Sequence, residues 1–578
     1  MPKPLIVSLA ALLGGVFLWF LATNGAVGDR GALSDREFRR LQAKDPERFG
    51  AAEAEVDFEL LDEARPLDLI EMDLDFPESL SGLDGRRVRI VGFMAPWDSL
   101  TDMSRCLLVP SYVGCTFCSP PSLTQVLYIE QAARPNSAYP FIEEPSDVVG
   151  TLRLPRPGSD AEGHRQGFVF VLEHAVVRPY DDRDAPERVP GHWQVEDPVA
   201  HAQQIADEGL PPISWEQLVE EVASIRELAP LRPVAFEPVS PERFAVLTRE
   251  ALERRIPEPG RADQAAAFAL LGMRAREGEW LDALTAVALR QRVAKTDAEG
   301  ERVRYLAHAP LEDPFVRLEL VKEIAEALAR QHFEAARRER LEDDDATRAL
   351  EAVRQGDKQL VAYRYARAGA FSAGSAPPLG LLPDLSRLPA ASEALELWYW
   401  LPWESGPFFV DSRTGASRPL SLVDPLYERI PGSTVEIFRP RWYDGPELWR
   451  RDPVPPDFAE GLLETAPVHT GVLGLGGIVP WLGASYPPDV SKVLAGNWAG
   501  DRYALWRLPE GAGEALLLEI RWQDEVSEQR FRDAAPLQPM QFLEGRGGSS
   551  PRTWVALAET EAGLERLSQA IMEKRVGE

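Results

Sequence analysis

The run Pro4 to Ala22 (PLIVSLAALLGGVFLWFLA) holds 19 residues without a charge, and no other stretch of the 578-residue chain is as long and apolar. Such a run just spans the hydrocarbon core as a helix, and Trp19 and Phe20 suit the interface at its end. The expectation is a transmembrane anchor over residues 1–27 that tethers one large soluble part. A cleaved signal peptide is the competing reading. Thr23-Asn24-Gly25-Ala26 makes a poor small-x-small site for it, and no lipobox Cys follows. Only Lys3 precedes the run, whereas Arg30, Arg36, Arg39, Arg40 and Lys44 follow it. Counted by the positive-inside rule alone, this pattern leaves the bulk of the chain in the cytoplasm.

The soluble part is too long for one ordinary domain. Its 63 basic and 92 acidic residues give a net charge of −29, and no long basic run offsets it. That balance repels nucleic acid and anionic headgroups, so nucleic-acid binding is excluded as an expectation. The fold class read from the pattern is α+β. Residues 28–66 are charge-rich and read as a helical juxtamembrane stalk. Residues 67–180 carry five short apolar or alternating strands, among them Arg87 to Phe93, Gln125 to Ile129 and Gly167 to Leu172. Separated by Gly, Pro and Asp, they predict a small β-barrel, OB-like, or a sandwich. Residues 181–230 read as a linker with one helix, capped by Ser214 with Gln217 three residues on and ended at Pro230.

From residue 231 to 578 the chain reads as mainly α-helical, with extended pieces such as Ala515 to Ile520. Asp313 and Pro314 open a helix whose apolar stripe is Val316, Leu320, Val321, Ile324, Ala327 and Leu328. On it, Lys322-Glu323-Ile324-Ala325-Glu326 has the spacing of His-Glu-x-x-His, in which two imidazoles one turn apart hold zinc beside a general-base Glu. Four further segments keep the same company in order. These are Leu270-Leu271-Gly272; Asp345 to Leu350 with Gln355-Gly356-Asp357; Ser433 to Tyr443; and Asn497 to Tyr503. Together with Ala327 to Phe333 they resemble an uncharacterised family of exported bacterial zincin-like, metalloprotease-like proteins.

That resemblance implies zinc ligands at positions 322 and 326, and a third near 355. Here those positions hold Lys322, Glu326 and Gln355, and Arg439 replaces a family His. A protonated Lys cannot coordinate, Gln is a poor zinc ligand, and Glu323 without a metal-bound water has nothing to activate. The site Lys322, Glu323, Glu326 and Gln355 is therefore expected to be vestigial, with no catalytic residue. Lys322, Glu326 and Arg330 are spaced to form an ion-paired ladder in place of the metal, or to be ordinary solvated charges.

In the β-rich segment, Gly85 to Pro96, Leu107 to Gly114, the Cys118-Ser119-Pro120-Pro121 region with Gln125, and Val149 to Leu152 resemble a second exported family. It is an uncharacterised DUF-type domain often encoded beside ABC-type exporter permeases. Cys115 and Cys118 stand in a C-x-x-C spacing, which is compatible with a disulfide or inert thiols, with half of a metal site, or with redox chemistry. Cys106 adds a third thiol, and zinc at these cysteines is the one cofactor the sequence allows for. Trp398-Tyr399-Trp400 with Trp403 reads as core packing before it reads as a groove. Gly474-Leu475-Gly476-Gly477 lacks the strand, Lys and Ser/Thr of a phosphate loop.

The two resemblances favour export, against the charge count at the anchor. The combined expectation is a single-pass protein of the bacterial inner membrane with its bulk outside the cytoplasm. It would be a pseudoenzyme that binds a peptide or protein partner. The alternatives are a metal-dependent hydrolase with unrecognised ligands, and an accessory subunit of an ABC-type exporter.

Overall fold

The computed structural model describes residues 51–577 apart from 97–104, 111–122, 132–141, 156–161, 181–203, 370–387, 535–539, 546–550 and several shorter stretches. The expected anchor over 1–27, residues 28–50 of the expected stalk, and Cys115 with Cys118 lie outside the described residues. Among those described, no helix is long and apolar enough to cross a membrane.

The first region is a closed barrel. Its strands are β4 (Arg87–Pro96), β5 (Arg105–Val109), β6 (Leu127–Gln131), β7 (Ser146–Arg153) and β8 (Phe170–Pro179), preceded by the short β1 (Ala54–Glu55), β2 (Arg65–Asp68) and β3 (Asp73–Asp75). The order β4-β5-β6-β8-β7 returns to β4, so the five strands close on themselves. All pairs are antiparallel except β6 with β8. Inward residues fill the interior, including Val88, Ile90, Leu108, Ile129, Val148 and Phe170. Gly92 is required where β4 presses on β5: a Cβ there would sit 2.8 Å from the Val109 carbonyl.

The described end of the expected stalk does not stand free of this barrel. β1 pairs with β4, and Phe58 and Leu61 are buried in the barrel core, because apolar side chains so close in sequence to a closed sheet find their burial there. Cys106 is buried in that core as well.

The rest is mainly helical, with more sheet than the sequence pattern suggested. α1 (Trp215–Arg226) is the expected Ser214-capped helix. It is followed by α2 (Pro241–Arg255), α3 (Gly260–Leu270) and α4 (Trp280–Leu289), with a three-stranded sheet of β9 (Ala235–Val239), β10 (Ala294–Thr296) and β11 (Arg302–Leu306). α5 (Pro314–His332) starts where Asp313 accepts from the Val316 N–H at 3.0 Å. It is buried on almost every side, and its neighbours include α6 (Asp344–Ala368).

α6 packs along α7 (Glu393–Thr414) at a crossing made by two glycines: a Cβ on Gly356 would lie 2.3 Å from the Gly406 carbonyl. α7 contains Pro402 and Pro407. Pro407 cannot donate to Trp403, and the carbonyl of Trp403 accepts instead from Gln359 Nε2 at 3.1 Å.

The C-terminal part carries β12 (His469–Gly471), β13 (Trp498–Arg507), β14 (Glu514–Trp522), β15 (Met540–Gly545) and β16 (Arg552–Ala558) in one antiparallel sheet, ordered β12-β13-β14-β16-β15. Helix α8 (Leu475–Gly483) packs in the core shared with β13 and β14. β13 is buried on both faces, which removes the alternation that marks a strand in sequence.

The hairpin β2–β3 ties the barrel to the helical part. The Leu69 N–H donates to the Phe438 carbonyl at 2.7 Å, and Arg439 and Arg441 converge on the buried Asp68 at 2.7 and 2.8 Å. Arg439, where the resemblance would expect a His, thus belongs to this joint.

Candidate functional site

α5 is nearly all buried, so its charged residues need partners, and the helix spacing decides which face each one meets. Glu323 and Glu326 point inward, where α6, β10 and α2 line a partly open cleft of about 50 Å³. Lys322 does not line it. Its Nζ turns to Glu319 at 2.8 Å near the surface. The proposed ladder is therefore corrected. Its lower half forms, with Arg330 Nε donating to Glu326 Oε1 at 2.8 Å, but Lys322 takes the carboxylate three residues before it.

Helix α6 supplies the opposing charges. Arg354 Nε donates to the same Glu326 oxygen at 2.8 Å, and Lys358 Nζ to Glu323 Oε1 at 2.9 Å. The other Glu323 oxygen accepts from the Thr296 N–H at 2.7 Å, and the Glu323 backbone carbonyl accepts from Thr296 Oγ1 at 2.6 Å. Glu351 pairs with Arg255 of α2 and with Arg348.

Burial alone would raise each of these carboxyl groups. Lys358 and Arg292 together outweigh it at Glu323, and the Arg354 and Arg330 guanidiniums with Lys358 outweigh it further at Glu326, so both are held below the usual carboxylate range. Arg255 and Arg348 likewise hold Glu351 at about 2.

These residues do not fit a catalytic zinc. The resemblance asks for three ligands at 322, 326 and 355. Lys322 points elsewhere, Glu326 shares one oxygen between two guanidiniums, and Gln355 offers only an amide. Among the described residues no three His, Cys, Asp or Glu side chains converge in a way that could hold a metal. No step through zinc follows from this geometry.

The structure brings Glu323, Glu326 and Gln355 together and separates Lys322 from them. Sequence reasoning missed Arg292, Lys295, Arg354, Lys358 and Tyr399, all lining the cleft. Glu351, Arg354 and Lys358 do follow one face of a helix at i, i+3, i+7, but only burial of that face distinguishes them from solvated charges. Arg292 precedes a three-residue strand and Lys295 lies within it, and they carry no spacing signal. Tyr399 stacks on Trp403, and Trp400 meets both edge to face, in the packed cluster expected.

A second charged cluster lies at the start of α6. Asp345 accepts from Ser433 Oγ at 2.5 Å, from the Thr434 N–H at 2.9 Å and from Thr434 Oγ1. Asp501 accepts from the Leu473 and Gly474 N–H groups, both at 2.8 Å, and from Trp498 Nε1 at 3.0 Å. Three of the segments that carried the metalloprotease-like resemblance therefore meet here. Gly474 is required at this point, with φ +60° and the Asp345 carboxylate where a Cβ would be.

Residues 67–168 match the family described as "Protein of unknown function (DUF3299)", which covers most of the barrel. Neither curated proteins nor solved structures gave a match. No comparison supports the metalloprotease-like resemblance of the helical part.

Proposed function

We propose that this chain is a non-catalytic protein, anchored in the bacterial inner membrane by its N-terminal helix with its bulk outside the cytoplasm. In this reading a degenerate metalloprotease-like scaffold binds a peptide or protein partner in the cleft beside α5. The observation that carries it is the engagement of the two inward glutamates. Glu323 and Glu326 are each locked by buried cations, so neither is available to activate water or to ligate zinc. Binding needs only shape and complementary groups, which survive the loss of bond-breaking residues.

The barrel has a further reading. Counted from β4, its strands close in the order 1-2-3-5-4 with the third and fifth parallel, which is the arrangement of an OB fold. An OB-like domain next to the membrane suits an accessory role in an envelope complex.

Metal analysis of the purified full-length protein tests the reading. Zinc well below one equivalent is expected. Stoichiometric zinc that is lost in Glu323→Ala or Glu326→Ala would replace it with the hydrolase reading. A photo-crosslinking residue placed at Arg254, exposed at the cleft rim, should capture a peptide or protein in cells. Absence of any crosslink from this rim, with crosslinks from a barrel position instead, would move the binding role to the barrel.

A further inference from the structure

The cleft beside α5 is cationic in a chain of net charge −29. Four carboxylates line it, Glu323, Glu326, Glu339 and Glu351, against seven Lys and Arg side chains. All four have cationic partners: Lys358 for Glu323, Arg330 and Arg354 for Glu326, Arg330 for Glu339, and Arg255 and Arg348 for Glu351. Three are left over: Arg254, exposed at the rim, and Arg292 and Lys295 further in. Neither of the inner two has a hydrogen bond or ion pair among the described residues, and Arg292 holds only a cation–π contact, 5.1 Å over the Trp403 ring. Burial and then the neighbouring Arg292 guanidinium push the Lys295 ammonium well down. Glu339 and Glu323 oppose this from a distance, and at Arg292 burial is outweighed by Tyr399 and the surrounding carboxylates, so the two cations have carboxylates nearby but none in contact.

Neutral groups around them are also uncommitted. Thr248 is fully buried and Gln355 is 5% exposed, both line the cleft, and neither Thr248 Oγ1 nor Gln355 Oε1 has a partner. Buried polar groups in native proteins are rarely left unpaired, and several lining one cleft point to a missing ligand. Tyr399 lines the same cleft as Arg292. The set is a guanidinium, an ammonium, two hydroxyls and an amide that can turn its NH₂ inward. It offers donors in several directions around one space and no uncommitted carboxylate.

We propose that the cleft binds an oxyanion group of its ligand, a carboxylate or a phosphate, seated between Arg292 and Lys295 and bounded by Thr248, Gln355 and Tyr399. This rests on reading the cleft as a binding site and not as a bond-breaking one. The oxyanion supplies the charge the two cations lack, and charge-assisted hydrogen bonds in a partly enclosed site are the strong kind. The guanidinium can take a carboxylate or phosphate edge with two N–H groups, beside its cation–π contact with Trp403.

The test is calorimetric titration of the full-length protein in chloride of constant ionic strength. The probes are inorganic phosphate, an N-acetyl dipeptide with a free C-terminal carboxylate, and the same dipeptide amidated. Saturable binding of phosphate or of the free-carboxylate dipeptide is expected, with the amidated form at least about tenfold weaker than its free acid. Arg292→Gln and Lys295→Met should each weaken the bound oxyanion by about tenfold or more, Lys295→Arg should restore most of it, and Lys322→Ala outside the cleft should change nothing. Thermal unfolding of each variant checks that the fold is kept.

Phosphate binding without dipeptide binding, lost in Arg292→Gln, supports the oxyanion site and removes the peptide partner. Absence of saturable binding by every oxyanion, with crosslinking at Arg254 intact, overturns the oxyanion site and leaves the peptide reading standing. Binding that Arg292→Gln and Lys295→Met leave unchanged overturns the assignment to this cleft.

Discussion

Two stretches of one helix treat a buried carboxylate in opposite ways. At the start of α6, Asp345 is surrounded by neutral donors, two hydroxyls and one N–H, and burial pushes its carboxyl up to about 6. Two turns on, Glu351 is as deeply buried, but its partners are the Arg255 and Arg348 guanidiniums, which hold it at about 2. Depth is shared, so depth does not decide. What decides is whether the partner carries a full charge, since only a cation repays the loss of water around an ionised group. The first cluster therefore acts as structural cement that joins segments distant in sequence. The second belongs to a wall of ion pairs around a cleft with cations to spare.

The sharpest way to break this contrast is to delete Asp345. Asp345→Ala leaves Ser433 Oγ and both donors of Thr434 without their acceptor, and each orphaned buried group costs about 1–3 kcal/mol. A loss near 4 kcal/mol, read from the urea midpoint, is expected. A loss below about 1 kcal/mol would mean that the cluster cements nothing.

Glu326→Gln should come next, at about 3 kcal/mol, because Arg330 and Arg354 lose the carboxylate they share while remaining buried. Arg330 keeps Glu339 and the Asp297 carbonyl, which makes the effect smaller than the first. A variant as stable as the parent would show that water, and not Glu326, satisfies these guanidiniums.

The pH profile sharpens the same comparison, since the two clusters contribute with opposite sign. Asp345 is raised from 3.8 to about 6, so the folded protein binds its proton more tightly than the unfolded chain does. Its contribution is complete below about 4 and disappears as pH rises through about 6. Glu351 is lowered from 4.5 to about 2. Its contribution is complete above about 4.5 and is lost as pH falls through about 2. Stability read from urea midpoints should fall on both sides of this range, by about 3 kcal/mol on each limb. Glu351→Gln should shrink the acid limb alone and Asp345→Asn the alkaline limb alone, the remainder of the alkaline limb belonging to Asp344 and Asp501; a variant that shrinks both would mean that the clusters are coupled.

How far the sequence foretold these features follows from what each one depends on. The strands of the barrel showed because Val88, Ile90 and their neighbours alternate toward a single interior, and the Ser214 and Asp313 caps showed because a cap is a local arrangement. β13 was hidden, since a strand buried on both faces has no alternation. The cleft was half legible. Glu323 and Glu326 were found from helix spacing and Gln355 from the resemblance, whereas Arg292 and Lys295 reach it from the segment at a separate strand by tertiary folding. Spacing also cannot say which of two carboxylates a lysine will choose, and Lys322 chose Glu319.

That choice gives the smallest predicted effect and the most discriminating one. Lys322 Nζ lies 2.8 Å from Glu319 with its side chain 21% exposed, the setting in which an ion pair contributes only a few tenths of a kcal/mol. Glu326 is 4% exposed and faces the cleft. A double-mutant cycle of Lys322→Ala with Glu326→Ala should therefore give a coupling below about 0.3 kcal/mol, while Arg354→Ala with Glu326→Ala should give more than about 1 kcal/mol. Both cycles share one carboxylate, so its removal affects them equally and only the partner differs. Coupling of Lys322 to Glu326 as strong as that of Arg354 would place the ammonium back on the inner face, and the cleft would then hold one more cation than its geometry assigns. Coupling confined to Arg354 would leave position 322 outside the site, and with it the spacing on which a metal-binding helix depends.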